Sequence, residues 1–462
     1  MFKCIGNCAA CGRCKSTGLA RQVNEQKAGM LRMPDDFVAE TGKQGYAIAF
    51  DIGTTTVVGM LWDLYQGKLV GAAAKANPQA AHGQDVISRI TFAGKKENLK
   101  LLHDEIIGCL NEIIGDLCTL YGIDRNAICR AAVCGNTTMS HLFAGYDPTS
   151  LAVAPFVPAY EGTLRFLAEE IGLTINGNCD AMLIPNIAGH VGGDITAGIL
   201  ATRLEAHTGK ALFIDIGTNG EIVYIQDGKM CTCSTAAGPA FEGAAIYQGM
   251  RAAEGAIERI RIEDGDVQFK TIGDVPPIGI CGSGLIDAVA EMKKASIINE
   301  TGRMATAEEY EKNHSGSALA ERLREGADGR EFILVSKVSG EDIVITQKDI
   351  RQVQLAKAAI AAGTILLMRQ MGSVPEELDE VIIAGAFGSY IDNDSAVEIG
   401  LLPNIVRQKI TNAGNTAGAG VLMSVASSQE AQRIIQIPGK LQHIELANLS
   451  EFQNCYLGEM RF

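Results

Sequence analysis

The chain has 462 residues, 47% of them hydrophobic and 20% charged, a globular mixture that excludes wholesale disorder and leaves room for about two to four domains. It carries 40 basic against 54 acidic residues, net −14, and no basic patch, which argues against nucleic acid or an anionic membrane as partner. No run reaches the roughly 18 apolar residues of a membrane helix; Val353 to Met368 is short and carries Lys357, and the first residues form no apolar signal segment.

Taken in chain order, the first feature is a cysteine cluster. Cys4, Cys8, Cys11 and Cys14 follow C-x3-C-x2-C-x2-C, the spacing set of bacterial ferredoxins in reverse order. Four thiols this close wrap one small soft centre, so a 4Fe–4S cluster is favoured and zinc, whose sites use widely separated ligand pairs, is the alternative. Residues 15–44 are polar and weakly periodic and read as a connector, making 1–44 a cysteine-rich segment. The other nine cysteines are scattered and read as mostly buried thiols in a reducing cytoplasm.

Ala47 to Asp63 reads AIAFDIGTTTVVGMLWD, a strand, a tight glycine turn and a second strand. Asn98 to Leu120 has helical spacing, and AAVCGN (131–136) is a strand running into glycine. Ile184 to Gly198 is glycine-rich and leads into a helix. Ala211 to Asp227, ALFIDIGTNGEIVYIQD, then repeats the first hairpin at a constant offset of 164 residues. Cys231 and Cys233 lie on one predicted strand and read as interior thiols. Gly282-Ser283-Gly284 opens a helix. Glu300 to Gly340 is charge-rich and reads as an insertion, and Thr346 is a fitting N-cap for a long helix to Met371. VIIAGAFG (381–388) and NAGNTAGAGVLM (412–423) complete a second set of parts in the first set's order. The expected architecture is α/β, two lobes of one duplicated fold at 45–206 and 207–462, with a nucleotide cleft between them.

The hairpins suit a triphosphate. Glycine lets the main chain approach phosphate, and threonine adds hydroxyl donors. Gly53, Thr54, Thr55 and Thr56 offer this in the first turn, and Gly217, Thr218, Asn219 and Gly220 in the second. Asp51 and Asp215 end the first strands, where a carboxylate holds Mg²⁺ through waters. Gly385, Ala386, Phe387 and Gly388, with Gly282 and Ser283, suit the base and ribose of ATP. Asp194 or Glu221 orients water.

The motifs DIGTTTVVG, VCGNTTMSHLFAG, IPNIAGHVGGDI, FIDIGTNGEI, GPAFEGAAI, GICGSGLID and IIAGAFGSYIDNDSAVEIGLLP resemble the reductive activators of corrinoid proteins, a family within the actin-like (ASKHA, ribonuclease H-like) ATPases. The resemblance covers nearly all of residues 46–462. It implies ATP hydrolysis coupled to uphill electron transfer from an external donor to a corrinoid protein, cob(II)alamin to cob(I)alamin, and a homodimer. It implies phosphate contacts at Asp51 to Thr56 and Asp215 to Gly220, adenosine contacts at Gly385 to Gly388, and connectors at Gly189 to Gly198 and Gly414 to Gly420. Typical members carry a 2Fe–2S ferredoxin domain ahead of the ATPase core, where this chain has the four-cysteine segment. The alternatives are an activator of another low-potential metalloprotein and an actin-like small-molecule kinase.

Overall fold

The computed structural model describes residues 31–462 except 328, 338, 339 and 389. Cys4, Cys8, Cys11 and Cys14 lie outside the described residues. Two compact units divide the chain. The first takes the described residues to Thr208 with Ile225–Thr232 and Ala413–His443. The second takes Gly209–Tyr224, Cys233–Asn412 and Ile444–Phe462.

The first unit is built on β1 (Tyr46–Ile52), β2 (Thr56–Asp63), β3 (Lys68–Ala76), β4 (Ile128–Gly135), β5 (Leu164–Leu167) and β6 (Asp180–Leu183), in the order β3-β2-β1-β4-β6-β5. β1 to β3 form an antiparallel meander, and β4 runs parallel to β1 with Asp51 opposite Cys134. The alternation in AIAFDI sorts the two faces of β1. Ile48, Phe50 and Ile52 join the core under the Lys96–Tyr121 helix, whose Leu102, Ile106, Leu110, Ile113 and Leu117 recur at helical spacing. Gly59 on β2 makes this contact close, since a Cβ there would stand 2.5 Å from Ile113.

Ala47, Ala49 and Asp51 take the opposite face, where the Thr416–Ala426 helix packs on β1 and β4. That helix crosses the Gly193–Thr202 helix with backbone nearly touching backbone: a Cβ on Gly420 would lie 1.9 Å from the Ala197 carbonyl oxygen. The connector's last residues are fixed to this unit. Glu40 donates its N–H to the Ala426 carbonyl, and its carboxylate accepts from Lys43 Nζ (2.7 Å), Arg130 Nη1 (3.0 Å) and Ser428 N (3.0 Å). Partial burial pushes this carboxyl up, but those donors outweigh it and bring it to about 2.

The strands that follow repeat the plan. The first of them are β7 (Lys210–Ile216), β8 (Gly220–Gln226) and β9 (Lys229–Thr235). Next come β10 (Ala256–Glu263), β11 (Asp266–Thr271), β12 (Gly279–Ile280), β13 (Leu323–Gly326), β14 (Gly329–Val335) and β15 (Ile343–Thr346). β16 (Glu380–Ala384), β17 (Ile410–Gly414) and β18 (Leu441–His443) complete the set. The second six-stranded sheet has the order β17-β16-β7-β8-β9-β18. Reversed, β9-β8-β7-β16-β17 matches β3-β2-β1-β4-β6, so the repeated hairpin marks a duplicated sheet. β10 to β12 and β13 to β15 form two further three-stranded sheets. The charge-rich 300–340 stretch holds β13, β14 and the Ala307–Asn313 helix.

The Gln347–Gln370 helix is capped by Thr346, whose Oγ1 accepts from Asp349 N at 3.1 Å. It is long and apolar enough to cross a membrane, but most of its apolar window is buried in the fold. Gly363 seats it against Ile222 and Thr235, as Gly59 does for the first unit's long helix.

Candidate functional site

The first turn is held from behind through its carbonyls. Gly53 N donates to Thr56 O (3.0 Å) and closes the hairpin; a Cβ on Gly53 would lie 2.8 Å from that oxygen. The Gly53 carbonyl accepts from Asn77 Nδ2 (2.9 Å), Thr54 from Arg89 Nη2 (2.5 Å) and Thr55 from Asn77 N (2.9 Å). Asn136 Nδ2 donates to Thr54 Oγ1 at 3.0 Å. The Thr54 and Thr55 amides have no acceptor among the described residues. The loop thus spends its acceptors on the protein and keeps two donors for a ligand, the chemistry of an anion cradle.

Three asparagines do the bracing by one device. Asn77, Asn136 and Asn415 each use Oδ1 to cap a helical turn, accepting from Gln79 N (3.0 Å), Met139 N (3.0 Å) and Gly418 N (2.7 Å). The cap aims each amide group at the hairpin, and Asn415 Nδ2 meets Asp51 Oδ2 at 3.1 Å. The Asp51 side chain is half-buried, and burial pushes its carboxyl up to about 6 against the Asn415 bond. A carboxylate so placed gains from a cation, which fits Mg²⁺ held through waters.

Asp194 lies in the first turn of the Gly193–Thr202 helix, its Oδ1 accepting from Ile195 N at 2.9 Å. Burial first, then the charges of Asp51 and Asp194, hold the Cys134 thiol well above its usual range. Cys134 Sγ lies 4.0 Å from Asp51 Oδ1. Gly192 lets the start of the Gly193–Thr202 helix lie close on Asn136, since a Cβ there would stand 2.5 Å from Asn136 Cα.

The second turn is similar. Gly217 N donates to Asn219 O (2.9 Å), Gly238 N donates to Thr218 O (2.9 Å), and Thr218 Oγ1 donates to Glu242 Oε1 (2.5 Å). The Thr218 and Asn219 amides have no acceptor among the described residues. Asp215 pairs in register with Ala384, so Gly385 follows directly beside its carboxylate. Gly385 has φ of +87°, and a Cβ there would lie 2.6 Å from Asp215 Oδ1, so only glycine fits. Gly385–Gly388 forms one helical turn that includes Ala386 and Phe387. Glu221, the other water-orienting choice, is half-buried at the start of β8.

Gly282 and Ser283 are buried at the start of the Gly282–Lys294 helix. Ser283 Oγ is 3.4 Å from Cys281 Sγ, and a Cβ on Gly284 would stand 2.3 Å from the Ile257 carbonyl oxygen, so Gly284 seats the helix on β10. Of the nine described cysteines seven are buried, Cys231 and Cys233 included; Cys129 is exposed and Cys455 intermediate. Among the described residues no group of three or more His, Cys, Asp or Glu is arranged to hold a metal ion.

Asn77, Arg89, Asn136, Asn415 and Glu242 were not singled out from sequence as site residues. An Asn directly before a helix start was the available signal for the three caps. Nothing local marks Arg89.

Two family models match the chain in succession. The RACo middle region matches residues 46–207, and the C-terminal domain of RACo, the ASKHA domain, matches residues 209–462. The corrinoid activation enzyme RamQ of Eubacterium limosum is 40% identical over 436 residues, 92% of this chain and 72% of that protein. A Co(II) methylated amine-specific corrinoid protein reductase of Methanosarcina barkeri is 27% identical over 450 residues, covering 90% and 77%. The solved structure of a reductive activator for corrinoid, iron-sulfur protein matches with a TM-score of 0.80 at 40% identity, over 92% of this chain and 67% of that one.

Proposed function

The chain belongs to the RACo family, and on that premise we propose that it is an ATP-dependent reductive activator of a corrinoid protein. The acceptor's cobalt takes up one electron, Co(II) to Co(I), and a low-potential external donor loses it. Mg²⁺–ATP drives the step by favouring one state of the complex with the acceptor over another. The observation that carries this reading is the duplicated Asp-Ile-Gly-Thr turn, each copy keeping two amides without acceptors just after the glycine that follows its carboxylate.

In this reading Asp51 and Asp215 hold Mg²⁺ through waters. The Thr54, Thr55, Thr218 and Asn219 amides bind phosphate oxygens, and Asp194 orients the attacking water. The Gly385–Gly388 turn meets the adenosine, with Gly282 and Ser283 at the buried helix start of the same unit. Cys4, Cys8, Cys11 and Cys14, an all-thiolate donor set, hold a 4Fe–4S cluster that supplies one-electron transfer. The setting is a reducing cytoplasm.

The test is anaerobic purification, iron and sulfide analysis, and electron paramagnetic resonance, followed by mixing with a cob(II)alamin-loaded corrinoid protein and a one-electron donor. ATP-dependent loss of the cob(II)alamin signal is expected. Asp215→Ala should cut ATP turnover by orders of magnitude, and Cys8→Ser with Cys11→Ser should abolish reduction while ATPase persists. A phosphorylated small-molecule product in place of free phosphate would overturn the assignment.

A further inference from the structure

Arg89 is fully buried, and every acceptor it meets is neutral. Its Nε donates to the Gly83 carbonyl (2.9 Å), Nη1 to Gln79 Oε1 (3.4 Å) and Met139 Sδ (3.3 Å), and Nη2 to the Thr54 carbonyl (2.5 Å). No carboxylate oxygen of the described residues comes within 4.0 Å of it. The acids that bear on it are engaged elsewhere: Asp85 accepts from Ser88 N at 2.8 Å, and Glu105 lies 2.9 Å from His82 Nε2. Burial pulls the guanidinium down to about 10, with Asp85 and Glu105 opposing only in part. Removing a guanidinium from water is costly unless an opposite charge compensates it. Among the described residues no side chain supplies that charge within ion-pair distance.

The geometry points to where it comes from. The carbonyl that accepts from Arg89 belongs to the Thr54–Thr55 peptide, and the N–H of that same peptide is the Thr55 amide, which has no acceptor. In a trans peptide C=O and N–H point in opposite directions. One peptide dipole therefore has a cation at its oxygen end and an open donor at its hydrogen end. The cation polarises that peptide and strengthens the donor.

We infer that Arg89 is the counter-charge for a nucleotide phosphate bound at the first turn, acting on it through the Thr54–Thr55 peptide as a positioning residue. The inference rests on the nucleotide reading above. It sets substrate preference by phosphate charge: polyphosphate esters gain from Arg89, and adenosine gains nothing.

The test uses the full chain. Unfolding midpoints are measured with Mg²⁺ and, in turn, adenosine, AMP, ADP and ATP, together with ATPase kcat and KM, for wild type, Arg89→Met and Arg89→Lys. Wild type should be stabilised increasingly with phosphate number. Arg89→Met should keep its unliganded midpoint, lose most of the ATP shift and raise KM about tenfold or more, with a smaller effect on kcat. Arg89→Lys should restore part of the shift. If Arg89 merely braces the core, Arg89→Met will lower the unliganded midpoint and keep the full ATP shift and KM, which overturns the inference alone. Absence of any Mg²⁺–ATP shift in wild type overturns the nucleotide reading and takes the inference with it. Should Arg89→Met fail to fold, the Thr55 amide resonance of selectively ¹⁵N-labelled wild type decides. A large shift with Mg²⁺–ATP and none with adenosine supports the inference, and no movement overturns it.

Discussion

Replacing Asp51 with asparagine should stabilise the unliganded protein at neutral pH while abolishing its response to Mg²⁺–ATP. The carboxyl is raised from 3.8 to about 6, chiefly by burial. Two pKa units at about 1.4 kcal/mol each give ~3 kcal/mol, and solvent screening of a half-buried group brings this to about 1–3 kcal/mol. The sign follows from linkage. An acid raised by folding adds no penalty below its unfolded pKa, costs increasing stability as pH rises toward its folded pKa, and keeps a constant cost above it.

Unliganded wild type should therefore lose that amount relative to Asp51→Asn between about pH 4 and pH 6. Above this window the variant should melt several degrees higher, at ~2–4 °C per kcal/mol. The introduced carboxamide keeps an oxygen for Asn415 Nδ2, so the comparison isolates the charge. The assay is thermal unfolding by circular dichroism across that pH range, without Mg²⁺ or nucleotide and then with both. A variant less stable than wild type at neutral pH, or a difference that does not change with pH, would refute the reasoning.

Three further outcomes are expected in the glycines, and a fourth at Asn415. Gly385→Ala forces a Cβ to 2.6 Å from Asp215 Oδ1 at a φ of +87°. It should cost about 1–2 kcal/mol and depress ATP turnover with an unchanged far-UV spectrum; full turnover would detach Asp215 from catalysis. Gly420→Ala drives a Cβ onto the Ala197 carbonyl and should destabilise by about 2–3 kcal/mol in denaturant unfolding. Gly108→Ala, in a helix with nothing within 4 Å of its Cβ, should stabilise by about 1 kcal/mol. Asn415→Asp keeps the cap but sets a second carboxylate against Asp51, so the unliganded melting point should fall and Mg²⁺ alone should restore it. A melting point insensitive to Mg²⁺ would remove the cation from this place.

What the sequence by itself determined is the local and the repeated. The two Asp-Ile-Gly-Thr hairpins, the helix under Leu102 to Leu117, the Thr346 cap and the interior Cys231 and Cys233 are short-range patterns, set by alternation, helical spacing and capping within a few residues. The charge-rich 300–340 stretch hid β13 and β14 because LREG and GREFILV carry charges that only pairing across the strands accommodates: Glu331 of the central strand β14 is buried against Arg324 of β13, 2.5 Å away. Only the tertiary structure decided the rest. It returned residues 413–443 to the first unit and placed Asn415 against Asp51 across 364 positions of sequence. It also buried Arg89 behind Thr54 and pinned Glu40 between Arg130 and Ser428. These contacts depend on which sheet face a helix covers and on where a glycine lets two backbones meet. Close packing sets both, through residues too far apart in the chain for any local pattern to relate them.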